Sequence, residues 1–342
     1  MLIVSTPSPI SLSDTLRAWL AETRTGTPGA TLRALAEAGL DRLPLPGHGA
    51  TLARWRALAA VGAHDLSLAK LFEGHTDALA ILHEAGAQPA PSGSTWGTWC
   101  AEPPDVRVEL RVAEDGTASL HGRKAWCSGA REVTHAVVSC WNAAGAPMLA
   151  ALDMRQPQVT VSADGWEAVG MRASGSVDVL FDGAAAVALG GPGFYVARAG
   201  FWHGGAGVAA CWFGAATALA EALRRRLARQ QDPHRLAQLG EVAALLAGSA
   251  ALMRATAAAI DAAPAADAMA AALTLRLHVE GTATATLAAV GRALGPGPMC
   301  KDAVLARLFA DLPVFIRQSH AERDLEALGR VVAGAGRAPW TL

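Results

Sequence analysis

Along most of the chain, apolar residues recur at helical spacing, and one central stretch alternates with period two instead. Residues 13–86 are rich in Leu and Ala. Leu16, Trp19 and Leu20 fall on one face of a first helix that Ser13 or Asp14 can cap. A short helix is predicted over 31–39, ended by Gly39, and two longer ones over 52–61 and 66–85. Residues 88–94, Gln-Pro-Ala-Pro-Ser-Gly-Ser, break the pattern. From Thr95 to Val187 the texture is that of strands: 106–112, 118–122, 135–141, 148–153, 159–161 and 176–181, with turns at 113–116 and 142–147. Short strands at this spacing predict an antiparallel barrel or sandwich. Beyond Gly193 the spacing returns to helical over 199–229, 236–263, 266–294 and 304–328, which predicts a four-helix bundle. The fold class expected is α+β, with a helical domain over 1–92, a β domain over 93–190 and a bundle over 191–342.

Composition narrows the possibilities. A chain of 342 residues suggests about two domains by length. Hydrophobic residues at 52% and charged residues at 17% exclude a disordered chain. A net charge of −1 supplies no field to attract nucleic acid, so none is expected as a partner. The cysteines, Cys100, Cys127, Cys140, Cys211 and Cys300, are odd in number and show no metal spacing. They read as reduced thiols in a cytoplasmic protein, with no metal site. Residues 1–13 lack the basic stretch of a secretory signal. Two stretches free of Asp, Glu, Lys and Arg, 133–152 and 199–220, invite a membrane reading. Asn142, Gly145 and Pro147 interrupt the first, and the Gly/Ala content of the second suits a helix buried in protein, so no membrane span is expected. The small-residue faces of 206–220 and 283–293 suit close helix packing within or between subunits.

The residues that carry chemistry lie in the β region. Gly122-Arg123-Lys124-Ala125-Trp126-Cys127-Ser128-Gly129-Ala130 resembles the G-x-K-x-W-[IC]-[ST]-x-[GA] segment of the acyl-CoA dehydrogenase superfamily. Residues 165–176 resemble its G-x-R-[AS]-[ST]-x-[ST] segment, and 179–187 its V-x-F-D-x-[VA]-x-V strand. Trp99-Cys100-Ala101-Glu102-Pro103 stands where that superfamily has T-E-P. With these motifs in this order, the chain resembles an atypical short member. The resemblance implies FAD bound between β domain and bundle, with Trp126 against the isoalloxazine ring and Ser128 at its N5/O4 edge. Backbone N–H groups near Ala101 and Ser128 would meet the pyrimidine carbonyls. It further implies that Arg229, with help from Gln238, reaches the pyrophosphate of a neighbouring subunit, hence a homodimer or homotetramer. The turn Gly295-Pro296-Gly297-Pro298 resembles the superfamily's G-G-x-G turn, altered by two prolines. Taken from the residues alone, Trp126 is equally a core aromatic, Ser128 a turn residue and Arg229 a solvated helix end.

The usual base is absent from its usual places. Superfamily dehydrogenases carry a Glu about nine residues after an Arg-Asp pair, to take the substrate α-proton. Here Arg323-Asp324 is followed by Val332, and the alternative place, around Tyr195 to Ala199, has no carboxylate. The chain also ends soon after Leu328, where the superfamily has a closing helix. The first expectation is an FAD oxidoreductase that oxidises an acyl thioester by hydride transfer to flavin N5. Its base would be Glu73, His75, His320 or Glu326, and its electron acceptor a flavoprotein or oxygen. A second is a two-component flavin monooxygenase on the same fold, which also lacks the Glu and binds reduced flavin. There His75 is a base or a partner to activated oxygen; it reads equally as a partly buried, hydrogen-bonded helix His. A third is a non-catalytic oligomeric scaffold. Arg317, His320 and Asp324 share one face of the helix predicted over 304–328, as a substrate wall or as an ion pair. His203 and Glu102 are expected to line the pocket. By strand alternation Cys127 points away from Ser128, with no redox role.

Overall fold

The computed structural model describes residues 11–22, 26–229, 231–338 and 340–341. Residues 1–10, which carry most of the reading that no signal is present, lie outside the described residues. Four helices open the fold: α1 (Leu12–Glu22), α2 (Pro28–Glu37), α3 (Thr51–His64) and α4 (Leu66–Glu84). The first cap is Ser11, whose Oγ accepts from the Asp14 N–H, rather than the expected Ser13 or Asp14. Thr27 caps α2 and Asp65 caps α4 in the same way.

Seven strands follow: β1 (Trp96–Trp99), β2 (Val108–Val112), β3 (Ala118–Cys127), β4 (His135–Trp141), β5 (Pro147–Asp153), β6 (Val159–Val161) and β7 (Val177–Leu189). β4 to β2, β2 to β3, β3 to β7, β7 to β5 and β5 back to β4 is a closed circuit, a small barrel. The barrel is not purely antiparallel. β1 runs parallel to β4, pairing Trp96 with His135 through to Trp99 with Val138, and β2 meets β4 in parallel at one position. β1 shows no period-two signal because three of its four residues are buried.

The remaining helices are α5 (Phe194–Ala197), α6 (Gly200–Arg229), α7 (Pro233–Ala262), α8 (Met269–Leu294), α9 (Pro296–Lys301), α10 (Ala303–Phe315) and α11 (Glu322–Gly334). The small-residue face of α6 is used within the chain. A Cβ on Gly62 of α3 would fall 2.4 Å from the Cys211 carbonyl, and one on Gly214 of α6 would fall 2.1 Å from that of Ala59. Backbone therefore meets backbone where α3 crosses α6, and a methyl group on either glycine would force the helices apart. One hydrophobic cluster runs from α1 through the barrel into the bundle. Among the described residues, two helices, α6 and α7, are long and apolar enough to cross a membrane. The apolar window of α6, with mean hydropathy 1.4, is 67% buried; that of α7, at 1.5, is 28% buried.

The helix expected over 304–328 is broken. A 3-10 turn, Ile316–Gln318, follows α10; Ser319 is extended and Ala321 has φ +42° before α11 starts. Pro313 removes one backbone donor near the end of α10, and the Arg276 guanidinium of α8 caps the released Gln318 carbonyl at 3.1 Å. Arg317, His320 and Asp324 consequently do not share one helix face. Arg317 pairs with Glu280 of α8. His320 is mostly exposed, 3.5 Å from Asp324, which also accepts the His320 backbone N–H.

Helix α4 sits between the barrel and the bundle, with fourteen of its nineteen residues buried. Its polar residues need partners inside the protein. Arg198, just ahead of α6, reaches Asp77 at 3.0 Å and Glu84 at 2.9 Å, and Glu84 also accepts the Gly200 N–H. Burial opposes the charge on Arg198, but Asp77 and Glu84 outweigh it and hold the guanidinium protonated above its ordinary range. Arg198→Ala leaves two carboxylates against apolar surroundings and is expected to cost about 3–5 kcal/mol. Urea unfolding measures this; a loss below about 1 kcal/mol would show the group to be effectively solvated.

Candidate active site

The end of β3 is irregular. Its pairing with β7 slips between Lys124 and Cys127, and Trp126 takes the left-handed conformation at φ +59°. A bulky residue there is strained, by about 1–3 kcal/mol. The bulge turns the Trp126 indole outward, leaving the residue 51% exposed. Cys127 is buried, its Sγ donating to the Lys124 carbonyl, and burial raises its thiol far above the ordinary range. Burial pushes the thiols of Cys100 and Cys140 up to about 12. None of these is a nucleophile at neutral pH.

Ser128 follows two residues after Trp126 and is held from several sides. Its carbonyl accepts from Trp99 Nε1 at 3.1 Å, and the next N–H, of Gly129, donates to the Ser174 carbonyl at 2.8 Å. Its hydroxyl lies 2.8 Å from that of Ser176, which lies 2.8 Å from that of Ser174. Ser174 closes the 3-10 turn Arg172–Ser174 and donates to the Met171 carbonyl at 2.7 Å. The Met171 N–H is in turn accepted by Asp311 of α10, tying the turn to the bundle. Burial raises the Asp311 carboxyl above its ordinary value.

A narrow cleft opens between α4 and β1, lined by Lys70, Leu71, Gly74, Gly97, Thr98, Trp99 and Ser128, with Trp96 and Val133 behind them. Two bonds join its walls: Thr98 Oγ1 donates to the Gly74 carbonyl at 2.7 Å, and the Trp96 N–H donates to His75 Nδ1 at 3.1 Å. The second bond defines the state of His75. With Nδ1 accepting from an amide, a neutral ring carries its proton on Nε2 and donates it to Asp41 at 2.9 Å. His75 is fully buried and both its nitrogens are engaged, so it joins α4 to the barrel and presents no free base. Glu73 pairs with Lys70 at 2.5 Å and receives a longer contact, 3.4 Å, from Gln318 Nε2. Glu102 lies beside Ala101 at the end of β1. It pairs with buried Lys124 at 2.5 Å and accepts from Ser139 and from Trp141 Nε1. Burial opposes its charge, but hydrogen bonds from Lys124, Ser139 and Trp141 hold its carboxyl below the ordinary range.

Thus Ser128, Glu73 and His75 come together at one junction, with Trp126 two residues away. His203 sits on the buried face of α6 near Gly47, its Nδ1 without a hydrogen-bond partner. Burial lowers its pKa from the ordinary 6.5. Arg229 is exposed at the far end of α6, about 39 Å from His203 at 1.5 Å per residue. A basic cleft does form near that end, but it is lined by Arg226, Arg235 and Lys301 with Asp302, rather than by Arg229 or Gln238. Residues that spacing did not single out are Lys70, Thr98, Trp99, Ser174, Ser176, Arg276 and Gln318. The motif around residues 172–176 was the available signal for the two serines.

At the two places where a dehydrogenase base was sought, the chain offers Val332 on α11 and, beside Tyr195, the cation Arg198, locked between Asp77 and Glu84. The arrangement can cover a planar ring with the Trp126 indole and present one hydroxyl at its edge. The carboxylates of Glu73 and Glu102 are already paired with ammonium groups.

No family model matches the chain. A stretch of 90 residues is 44% identical to the amino sugar nitrososynthase DnmZ of Streptomyces peucetius, covering 25% of this chain and 22% of that protein. Among solved structures, TdsC of Paenibacillus sp. A11-2, a dibenzothiophene monooxygenase solved with FMN, superposes with a TM-score of 0.80. It is 19% identical over 96% of this chain and 97% of its own. KijD3, solved with FMN and dTDP-3-amino-2,3,6-trideoxy-4-keto-3-methyl-D-glucose, gives 0.76 at 22% identity, over 96% and 92%. The chain has the fold of these flavin-dependent enzymes.

Two measurements check this geometry. Trp126→Gly relieves the left-handed strain and gives up a half-exposed indole, so its unfolding free energy should stay within about 1 kcal/mol of wild type. A loss above about 3 kcal/mol would show the indole to be core. Because the folded pKa of His203 is depressed, its contribution is fully present above pH 6.5 and is lost as pH falls below it. Stability should therefore drop between pH 7.5 and 5.5, and less steeply in His203→Asn. Equal slopes would show that His203 stays protonatable in the fold.

Proposed function

We propose that this protein is a flavin-dependent monooxygenase that takes reduced flavin mononucleotide and oxygen and oxidises an amine-bearing small molecule. The observation that carries the reading is the state of the acid–base groups around the cleft. Glu73 and Glu102 are ion-paired, both His75 nitrogens are engaged, and Arg198 stands at one place expected for a base. Removing an α-proton from an acyl thioester needs a free base within hydrogen-bond reach; oxygen transfer does not need that group. FAD and an acyl thioester, the first expectation from sequence, thus lose their mechanistic support to the second.

The residues present fit a flavin by their chemistry: a strained, half-exposed indole beside a buried hydroxyl on a cleft wall. When bound, reduced flavin would supply the two electrons needed to pass one oxygen atom of O2 to the substrate and release the other as water. Trp126 would cover one ring face and exclude water, and Ser128 would hold the N5 edge. The mononucleotide is favoured over FAD by the relatives solved with FMN. An amine, carried on a sugar nucleotide, is the substrate class suggested by the nitrososynthase likeness and by the amino sugar bound to KijD3. Lys70 on the cleft wall carries an ammonium group paired with Glu73, which Gln318 also contacts. A homodimer or homotetramer in the cytoplasm is part of the proposal; a second copy would cover the exposed apolar stretch of α7.

Anaerobic titration with reduced FMN should show saturable binding, at least tenfold weaker in Trp126→Gly. Admitting oxygen with a dTDP-linked amino sugar should give a product heavier by one oxygen. Reduction of bound oxidised flavin by an acyl thioester under anaerobic conditions, or no binding of either flavin form, would overturn the reading.

A further inference from the structure

The hydroxyl chain behind Ser128 has a direction. Each serine hydroxyl has one proton to give and lone pairs to receive. The Met171 carbonyl only accepts, so Ser174 gives its proton there, at 2.7 Å. The contact between Ser174 and Ser176 must then be donated by Ser176, and the contact between Ser176 and Ser128 by Ser128. Ser174 and Ser176 are 1% and 3% exposed, so water does not compete for these protons. The Met171 carbonyl is itself held, because its turn is pinned by Asp311 on one side and by the Gly129 N–H on the other. The relay therefore ends with the Ser128 proton turned inward, and only its lone pairs remain to face the cleft.

We infer that Ser128 acts as an obligate hydrogen-bond acceptor, and that Ser174 and Ser176 are positioning residues which make the site select reduced over oxidised flavin. This rests on the flavin reading above. The N5 edge of oxidised flavin carries acceptors only; two-electron reduction places a proton on N5 and makes it a donor. A lone pair facing N5–H completes a hydrogen bond, whereas a lone pair facing bare N5 leaves two buried acceptors opposed. An unmatched pair of this kind weakens binding roughly tenfold to a hundredfold. Such selection suits an enzyme that receives its flavin already reduced and must release it once oxidised.

The test is anaerobic equilibrium titration with FMN and with dithionite-reduced FMN, following tryptophan fluorescence, in wild type and three variants. Wild type should bind the reduced form at least tenfold more tightly. In Ser174→Ala, Ser176 loses its acceptor and can turn its proton toward Ser128, whose own proton is then free to enter the cleft. Oxidised FMN should bind more tightly and the ratio should fall toward one. Ser176→Ala keeps the Ser174 bond to Met171 and should have the same effect, which covers the case where Ser174→Ala does not fold. Ser174→Thr retains the donor and should restore the wild-type ratio. By linkage, each tenfold change in the ratio moves the midpoint potential of the bound flavin by about 30 mV, an independent readout. Equal wild-type affinity for both forms, or an unchanged ratio in the alanine variants, overturns the relay and leaves the flavin site standing. If wild type binds neither form, the flavin reading fails, and the relay's role falls with it.

Discussion

A helix with almost no exposed face must find partners for the charged groups it carries, and α4 is such a helix. Its buried positions include Glu73, His75 and Thr76, and Asp77 lies beside them. Each is answered by a different element: Lys70 within α4, Asp41 ahead of α3, the Trp96 amide of β1, Arg54 of α3 and Arg198 ahead of α6. These bonds bring the N-terminal helices, the barrel and the bundle onto one axis. An unpaired charge at any of them would cost several kcal/mol, so the relative placement of the three parts is specified by a few directional contacts as well as by apolar burial.

The site follows from this arrangement. β1 is a short parallel strand hung on α4 by Thr98 and Trp96, and the gap left between them is the cleft. The groups nearest to it are consumed in holding it open. His75 spends both nitrogens on structure, and Glu73 and Glu102 are neutralised by lysines. The cleft wall carries the Lys70 ammonium, the Thr98 and Ser128 hydroxyls and backbone, with the exposed Trp126 indole two residues from Ser128.

The bulge at Trp126 and the relay behind Ser128 are two parts of one device. The slip in β3 frees the indole from the sheet, and Gly129 then seats against the turn that contains Ser174. That turn is fastened to α10 through Asp311 and Met171, so the hydroxyl facing the cleft is oriented by groups from the barrel and the bundle together. The same fold appears in TdsC and KijD3 at 19% and 22% identity, so the architecture tolerates wide changes in its sequence.

Much of the fold was legible from spacing. The helices over 66–85 and 199–229 and the hairpin of β4 and β5 stand within a residue or two of where periodicity puts them, because those patterns are local and depend on neighbours a few residues away. The motif around Trp126 and Ser128 was legible too, since its residues are consecutive. What spacing did not show was decided at long range. β1 has three of its four residues buried and carries no alternation. The break at Ser319 to Ala321 is stabilised by Arg276, some forty residues earlier in the chain. His75 and Glu102 read as pocket groups until their partners, thirty-four and twenty-two residues away, are in place. Sequence by itself determined which segments are helix or strand and where an aromatic and a hydroxyl stand together. The tertiary structure alone decided which polar groups remain free to act, because a side chain's availability depends on what the rest of the chain folds against it.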